Sequence, residues 1–389
     1  MSEPPTQSGK GVPREALAAV SLPGMRTEVR RLRTNPAAAG WLRVESSAIC
    51  GTDVSLYSGG LAVPTVMGHH VIGTVVDLTP ETARRWGVDV GDRVALEEYL
   101  PCGACEECER GVYRMCAETD LWRGRRRVGL QPVDVCSGLS GGNGEYVELQ
   151  QSHVPHLVPK DLSATLAAWT LPLANAIDWT LDAAQVTPGS TVAIVGPGYH
   201  GLAAIAAARH AGAAQILAIG LPRDAPRLAM AERLGALPID ASGDVVGLVR
   251  AATGGRGVDA VIDTAGASTD TLNLNLRLLA RFGRLIVAGI SGGDLSKVDL
   301  QLVVREVLTL SGVRGRSPDA VRRSIDLLAS GKSRLDVAVP TLEIGLDEVG
   351  STLSALNEGH GPATPHVVVK PRLSTPAAHT LQPTQEALP

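Results

Sequence analysis

Hydrophobic positions along this 389-residue chain fall into two textures. Between Trp41 and about Val158 they form short β-like runs cut by Gly and Pro: Trp41–Val44, Val71–Val76, Arg93–Glu97 and Glu145–Leu149. Such runs predict an irregular, mostly-β domain built around loops. At Thr191 the texture changes. Apolar strands at Thr191–Val195, Gln215–Ile219, Val258–Asp263 and Arg284–Ala288 alternate with helical segments near His200–Ala211, Pro226–Leu234 and Thr269–Leu279. That alternation predicts a doubly wound parallel sheet. After about Gly312 mixed elements return, with strands expected near Val337 and at His366–Lys370, so the chain leaves one domain, builds a second and comes back. The polar start and the Pro-, Thr- and Ala-rich end read as loose tails. The boundaries drawn are a tail at 1–20, one domain at 21–165 and 313–372, a second at 166–312, and a tail at 373–389.

Composition narrows the function classes. With 44% hydrophobic and 20% charged residues the chain is globular, and its length suits two domains. Scarce aromatics (3%) and 43 glycines predict tightly packed α/β layers. A net charge of -4 gives no reason to expect nucleic acid. The one basic run, Arg123 to Arg127, reads as a solvated loop. No stretch approaches the roughly 18–20 apolar residues of a membrane helix, and the start lacks a secretion signal. A reducing cytoplasm is therefore expected, where six cysteines argue for metal or chemistry rather than disulfides.

Cys102, Cys105, Cys108 and Cys116 stand in Cys-x-x-Cys-x-x-Cys-(seven residues)-Cys. Their thiolates converge on a tetrahedron with no open position, which predicts a structural zinc. Four reduced thiols without metal, or a redox pair, are the competing readings. Cys136 reads as a spare thiol. A second constellation is Cys50-Gly-Thr52-Asp53 with Gly68-His69-His70. A buried Cys and a core His would be the plain account. With Thr52 alongside, however, thiolate, imidazole and hydroxyl are the parts that hold zinc and move a proton from a bound alcohol. Asp53 is placed to orient a ligating histidine.

Gly196-Pro-Gly198-Tyr199-His200-Gly201 follows an apolar strand and opens an alanine-rich helix, the context in which Gly-x-Gly-x-x-Gly predicts dinucleotide binding. Gly196 permits the tight turn, Gly198 lets backbone approach the pyrophosphate, and Gly201 lets helix and strand pack. The next strand runs into Gly220-Leu-Pro-Arg223-Asp224. A small residue with Arg223 behind it suits the 2′-phosphate of NADP, whereas Asp224 would suit the free hydroxyl of NAD. The balance tilts slightly to NADP.

These residues, with Gly91-Asp-Arg-Val94, Gly144-Glu-Tyr146 and Val287-Ala-Gly-Ile290, resemble the medium-chain dehydrogenase/reductase superfamily in its zinc-dependent alcohol, polyol and threonine dehydrogenase branch, over roughly Thr27 to Pro371. The resemblance implies an α/β protein: a GroES-like, mostly-β catalytic domain, a Rossmann domain, an active site between them, and a dimer or tetramer. It makes Cys50 and His69 catalytic zinc ligands and Thr52 a proton-relay hydroxyl. It makes backbone near Tyr199 and His200 pyrophosphate contacts, with Arg314 as a further one. The chain departs in three places. His70 stands where the family usually has Glu, no Cys or Glu occupies the third-ligand position in Leu171–Asp178, and Ser55 replaces a relay histidine. His70, with water or Asn175 nearby, is the candidate third ligand; packing behind His69 is the alternative. The function expected is zinc-dependent hydride transfer between NAD(P) and a secondary alcohol or ketone of the polyol, sugar or amino alcohol type. The alternatives are an NADPH-dependent reductase of a polarised C=C, C=N or C=O bond without catalytic zinc, its proton supplied by Thr52 or His70, and a non-catalytic NAD(P)-binding protein.

Overall fold

The computed structural model describes residues 11–120, 126–266, 268–289 and 297–373. Six strands form one wholly parallel sheet in the spatial order Leu237–Asp240, Gln215–Gly220, Thr191–Val195, Val258–Asp263, Leu279–Val287, Thr309–Gly312. Counted along the chain this is 3-2-1-4-5-6, the doubly wound order of dinucleotide folds. The central strand Thr191–Val195 is buried along its whole length because helices cover both faces, which is why it reads as a continuous apolar run. The direction of winding reverses between Thr191–Val195 and Val258–Asp263, and the crevice beyond their carboxyl ends is where such sheets bind ligands.

The other domain holds a mostly antiparallel sheet in the order Thr341–Ile344, His366–Val369, Gly40–Ala48, His70–Leu78, Arg93–Leu96, Pro155–Leu157, with Tyr146–Leu149 also on Gly40–Ala48. The returning segment therefore rejoins the first sheet, as the pattern predicted. A small third sheet pairs Glu15–Leu22 with Arg26–Arg33 and with Thr65–Val66. The helix Thr170–Ile177 packs against both Tyr199–His210 and Pro318–Ala329, so one hydrophobic core runs from one domain into the other.

Three expectations are corrected. The loose tail drawn at 1–20 is too long, because Glu15–Leu22 is a strand whose last five residues are buried. The strand expected near Val337 is a short helix, Leu335–Ala338, with the strand following at Thr341–Ile344. In the basic run, Arg126 is exposed, but Arg127 is buried and ion-paired to Glu98; Arg123–Arg125 lie outside the described residues. So do Ile290, the close of one family motif, and the C-terminal tail beyond Leu373.

Candidate active site and metal centres

Cys50 caps the one-turn helix Gly51–Ser55. At its third position Asp53 turns back, and its Oδ2 accepts the Cys50 N–H at 2.8 Å, satisfying a donor that every helix start leaves orphaned. Its other oxygen meets His69 Nδ1 at 3.0 Å. One buried carboxylate thus fixes the cysteine backbone and one imidazole together, leaving His69 Nε2 as the free ring nitrogen. His69 and His70 follow Gly68, whose φ is +94°. A Cβ there would fall 2.7 Å from both Asn143 Oδ1 and Ser47 Oγ, so only glycine makes this turn. The turn brings two consecutive imidazoles to one place, with ring centroids 4.4 Å apart. Candidate ligand atoms of Cys50, His69 and His70 lie within 4.8 Å of one another, and all three residues are buried.

Electrostatics separate the two rings. Burial opposes charge on His69, but the facing Asp53 carboxylate and the Cys50 sulfur outweigh it and hold the pKa at about 9. Burial drives His70 well below the usual range, helped by His69 and by the Arg316 guanidinium. Its Nδ1 is buried without a hydrogen-bond partner. An orphaned nitrogen on a neutral imidazole, beside a cysteine and a second histidine, is a donor set that fits zinc. Thr52 Oγ1 stands 4.0 Å from Cys50 Sγ and lines the same cleft of about 1190 Å³. The far wall is the Rossmann strand ends, Thr264–Gly266 and Val287–Gly289.

Sequence reasoning missed the polar network behind this site. Arg316, fully buried in the loop after Thr309–Gly312, donates to Glu97 Oε2 at 3.0 and 2.7 Å and to Glu98 Oε1 at 2.9 Å. Its Nη1 donates to Asn175 Oδ1 at 3.0 Å. Arginine only donates, so Asn175 must present its amide NH₂ to His200 Nε2, 3.1 Å away, and that nitrogen must accept. His200 is therefore the neutral Nδ1–H tautomer; burial, with Arg316 and His69, lowers its pKa to about 4. Arg127 closes the network on Glu98. The available signal was Glu97-Glu98 at the end of a buried strand, where two adjacent acids are costly unless paired.

The glycine turn is tightly built. Gly196 has φ +88°, and a Cβ on Gly201 would fall 2.0 Å from Gly196 O. A Cβ on Gly198 would meet nothing within 4 Å, which leaves open space at the helix start for a pyrophosphate. Tyr199 and His200 are the first residues of the helix Tyr199–His210. The Tyr199 side chain points away, donating from its hydroxyl to Ala168 O. At Gly220 a Cβ would fall 3.0 Å from Pro197 Cγ and 3.2 Å from Asp224 Cβ, a tight fit against the glycine turn. Asp224 is engaged, accepting the Leu221 N–H at 3.1 Å and facing Arg227 Nη1 at 3.5 Å, whereas Arg223 is exposed. Arg314 lines the cleft, but its guanidinium is held by Asp120 at 3.1 Å and by Arg114 O. A phosphate contact from it would first require breaking that pair.

The candidate ligand atoms of Cys102, Cys105, Cys108 and Cys116 also converge within 4.8 Å. Backbone N–H groups of Ala104 and Cys102 point at Cys102 Sγ (3.5 Å) and Cys116 Sγ (3.4 Å). The Ala104 contact brings the Cys102 thiol down to about 7, the thiolate tendency a metal ligand needs. Cys136 is free and exposed.

Comparison with known proteins identifies the family. Residues 40–160 match the alcohol dehydrogenase GroES-like domain, and residues 201–330 match the zinc-binding dehydrogenase family. The chain is 36% identical over 338 residues to the "Probable alcohol dehydrogenase adh" of Mycobacterium tuberculosis, covering 83% of this chain and 91% of that protein. The chain belongs to the zinc-dependent medium-chain dehydrogenase/reductase superfamily. This dehydrogenase is also 32% identical over 276 residues to the erythritol/L-threitol dehydrogenase of Mycolicibacterium smegmatis, covering 67% of the chain and 72% of that protein. A Sinorhizobium meliloti 1021 protein assigned as a zinc-binding dehydrogenase, solved with NADP bound, superposes with a TM-score of 0.77 at 26% identity, over 92% of this chain and 99% of that one. The dehydrogenase is an NAD(P)-dependent alcohol dehydrogenase with GroES-like and Rossmann domains.

Proposed function

We propose that this enzyme transfers a hydride between NADP and the carbinol carbon of a secondary alcohol of the polyol, sugar or amino alcohol type, in a cytoplasmic setting, with Cys50, His69 and His70 holding the catalytic zinc. The observation that carries the reading is the convergence of those three residues, His70 with an orphaned Nδ1, on the floor of the cleft between the domains. Zinc there supplies Lewis acidity that makes the substrate hydroxyl easier to deprotonate. Thr52 takes the hydroxyl proton toward solvent from its half-buried place on the cleft wall. Asp53 holds His69 in its ligating orientation. The open face of Gly198, with the N–H groups of Tyr199 and His200, receives the pyrophosphate.

The lean to NADP rests on the tight fit at Gly220, on Asp224 being already engaged, and on Arg223 being exposed. The four-cysteine lobe takes a second, structural zinc. The reading keeps the domain limits expected from sequence, with the tail shortened, and includes self-association. The edge strand Thr309–Gly312 and the outward-facing Phe282, Val304 and Val307 support a contact with another copy.

Metal analysis of the purified protein tests it. About two zinc ions per chain are expected, and His70→Ala should retain about one, lose nearly all turnover and still bind dinucleotide. One zinc in the wild type would favour a reductase of a polarised double bond without catalytic zinc, and two zincs with full activity in the variant would remove His70 from the ligand set.

A further inference from the structure

Glu98 is a buried carboxylate whose two oxygens are each held by a different arginine, yet it faces the cleft. Oε1 accepts from Arg316, and Oε2 accepts from Arg127. A carboxylate oxygen can take two hydrogen bonds, so Oε2 keeps acceptor capacity. That oxygen lies 3.9 Å from His69 Nε2, the free ring nitrogen of the candidate metal site. Glu98 lines the same cleft as Cys50, Thr52 and His69, so a small polyol held there by one hydroxyl has Oε2 within reach of a second.

We propose that Glu98 selects substrates carrying a second, neutral hydroxyl on the carbon adjacent to the one oxidised. This rests on the alcohol dehydrogenase reading above and adds the substrate group that the site recognises. The charges favour a hydroxyl over an ammonium. Glu97 and Glu98 are balanced by Arg127 and Arg316, so a cation would meet a carboxylate already neutralised, with two guanidinium groups close behind. A hydroxyl needs only the vacant lone pair. An alkyl group in its place would cover a buried charged acceptor and satisfy none of it, and sites built around such an acceptor reject the analogue lacking the hydroxyl strongly. Because both arginines anchor the carboxylate, it cannot swing aside to admit that analogue.

The test compares kcat/KM for butane-2,3-diol and butan-2-ol, which differ by one hydroxyl, using the full-length enzyme with its zinc and saturating dinucleotide. The wild type is expected to prefer the diol by about a hundredfold or more. Glu98→Gln should cut the ratio at least about tenfold, because its single oxygen can serve only one arginine and its NH₂ no longer accepts. Glu98→Gln/Arg127→Met removes both charges and serves if the single variant does not fold. The ratio is the readout because damage to metal or fold slows both substrates alike. Turnover of both alcohols at similar kcat/KM in the wild type, or an unchanged ratio in the variants, overturns the role of Glu98 and leaves the dehydrogenase reading standing. Turnover of neither these nor any other secondary alcohol removes that reading and the proposal with it.

Discussion

Two residue-scale decisions control the chemistry of this site. Asp53 serves two neighbours at once: one oxygen takes the Cys50 N–H at the helix start and the other holds His69, so its burial is compensated on both oxygens. Arg223 is the opposite kind of residue, exposed and free to meet a ligand. Its neighbour Arg227 is turned toward Asp224, so one cation is spoken for and the other is not. If Arg223 reads a 2′-phosphate, the bond is charge-assisted and contributes about 1.5–3 kcal/mol, roughly ten- to a hundredfold in affinity. Fluorescence titration with reduced dinucleotides should therefore find NADPH bound more tightly than NADH, and Arg223→Ala should lose most of that difference. A wild-type preference for NADH would point instead to Asp224 reaching a ribose hydroxyl.

At the scale of elements, the four-cysteine lobe depends most on something other than apolar packing. Its helices are one turn or less, Glu106–Glu109, Tyr113–Met115 and Ala117–Thr119, too short to stand alone. On the structural-zinc reading proposed above, metal–thiolate bonds would supply the folding free energy of this segment. Cys105→Ser should lower zinc content by about one ion per chain and lower the unfolding temperature, with dinucleotide binding retained; full zinc and unchanged stability would end the structural-zinc reading. The same scale explains what was legible from sequence. Thr191–Val195 was plain because a strand covered on both faces reads as a near-continuous apolar run, and Val258–Asp263 keeps such a run at Ala260–Ile262 between its two aspartates. Arg26–Arg33 was invisible, since a strand with most of its surface in solvent reads as Arg-Thr-Glu-Val-Arg-Arg-Leu-Arg. The candidate metal ligands stood out through fixed spacing. Arg316 and Glu98 did not, because their partnership spans 218 positions and leaves no local pattern.

The whole molecule is held across its cleft by polar groups that must be in one protonation state to be buried. Arg316 ties the end of the parallel sheet to Glu97 and Glu98 of the other domain, with Asn175 and His200 continuing the chain of bonds. Away from the cleft, burial holds three further histidines neutral: His153 at about 4, His366 at about 3, and His156 also below its ordinary value. In the unfolded chain each titrates near pH 6.5. Between about pH 4 and 6.5 the unfolded chain therefore binds more protons than the native one, so stability rises with pH through that window. The contribution is complete above pH 6.5 and is lost as pH falls toward the native values. Each histidine adds a slope of up to about 1.4 kcal/mol per pH unit. The melting temperature should be nearly level above pH 7 and fall steeply from pH 6.5 to 4. Acid would also compete for the thiolates of a bound zinc, so the decisive measurement is a difference. His366 stacks on Trp169 at 4.4 Å and bonds Thr341 Oγ1 at 2.7 Å. His366→Gln keeps a polar group there but has no proton to gain. The variant should be less stable than wild type at pH 7.5, and the gap should narrow as pH falls from 6.5 to 4, because only the wild type loses the contribution of a neutral imidazole. A gap that stays constant across that range would mean His366 does not titrate in the unfolding equilibrium.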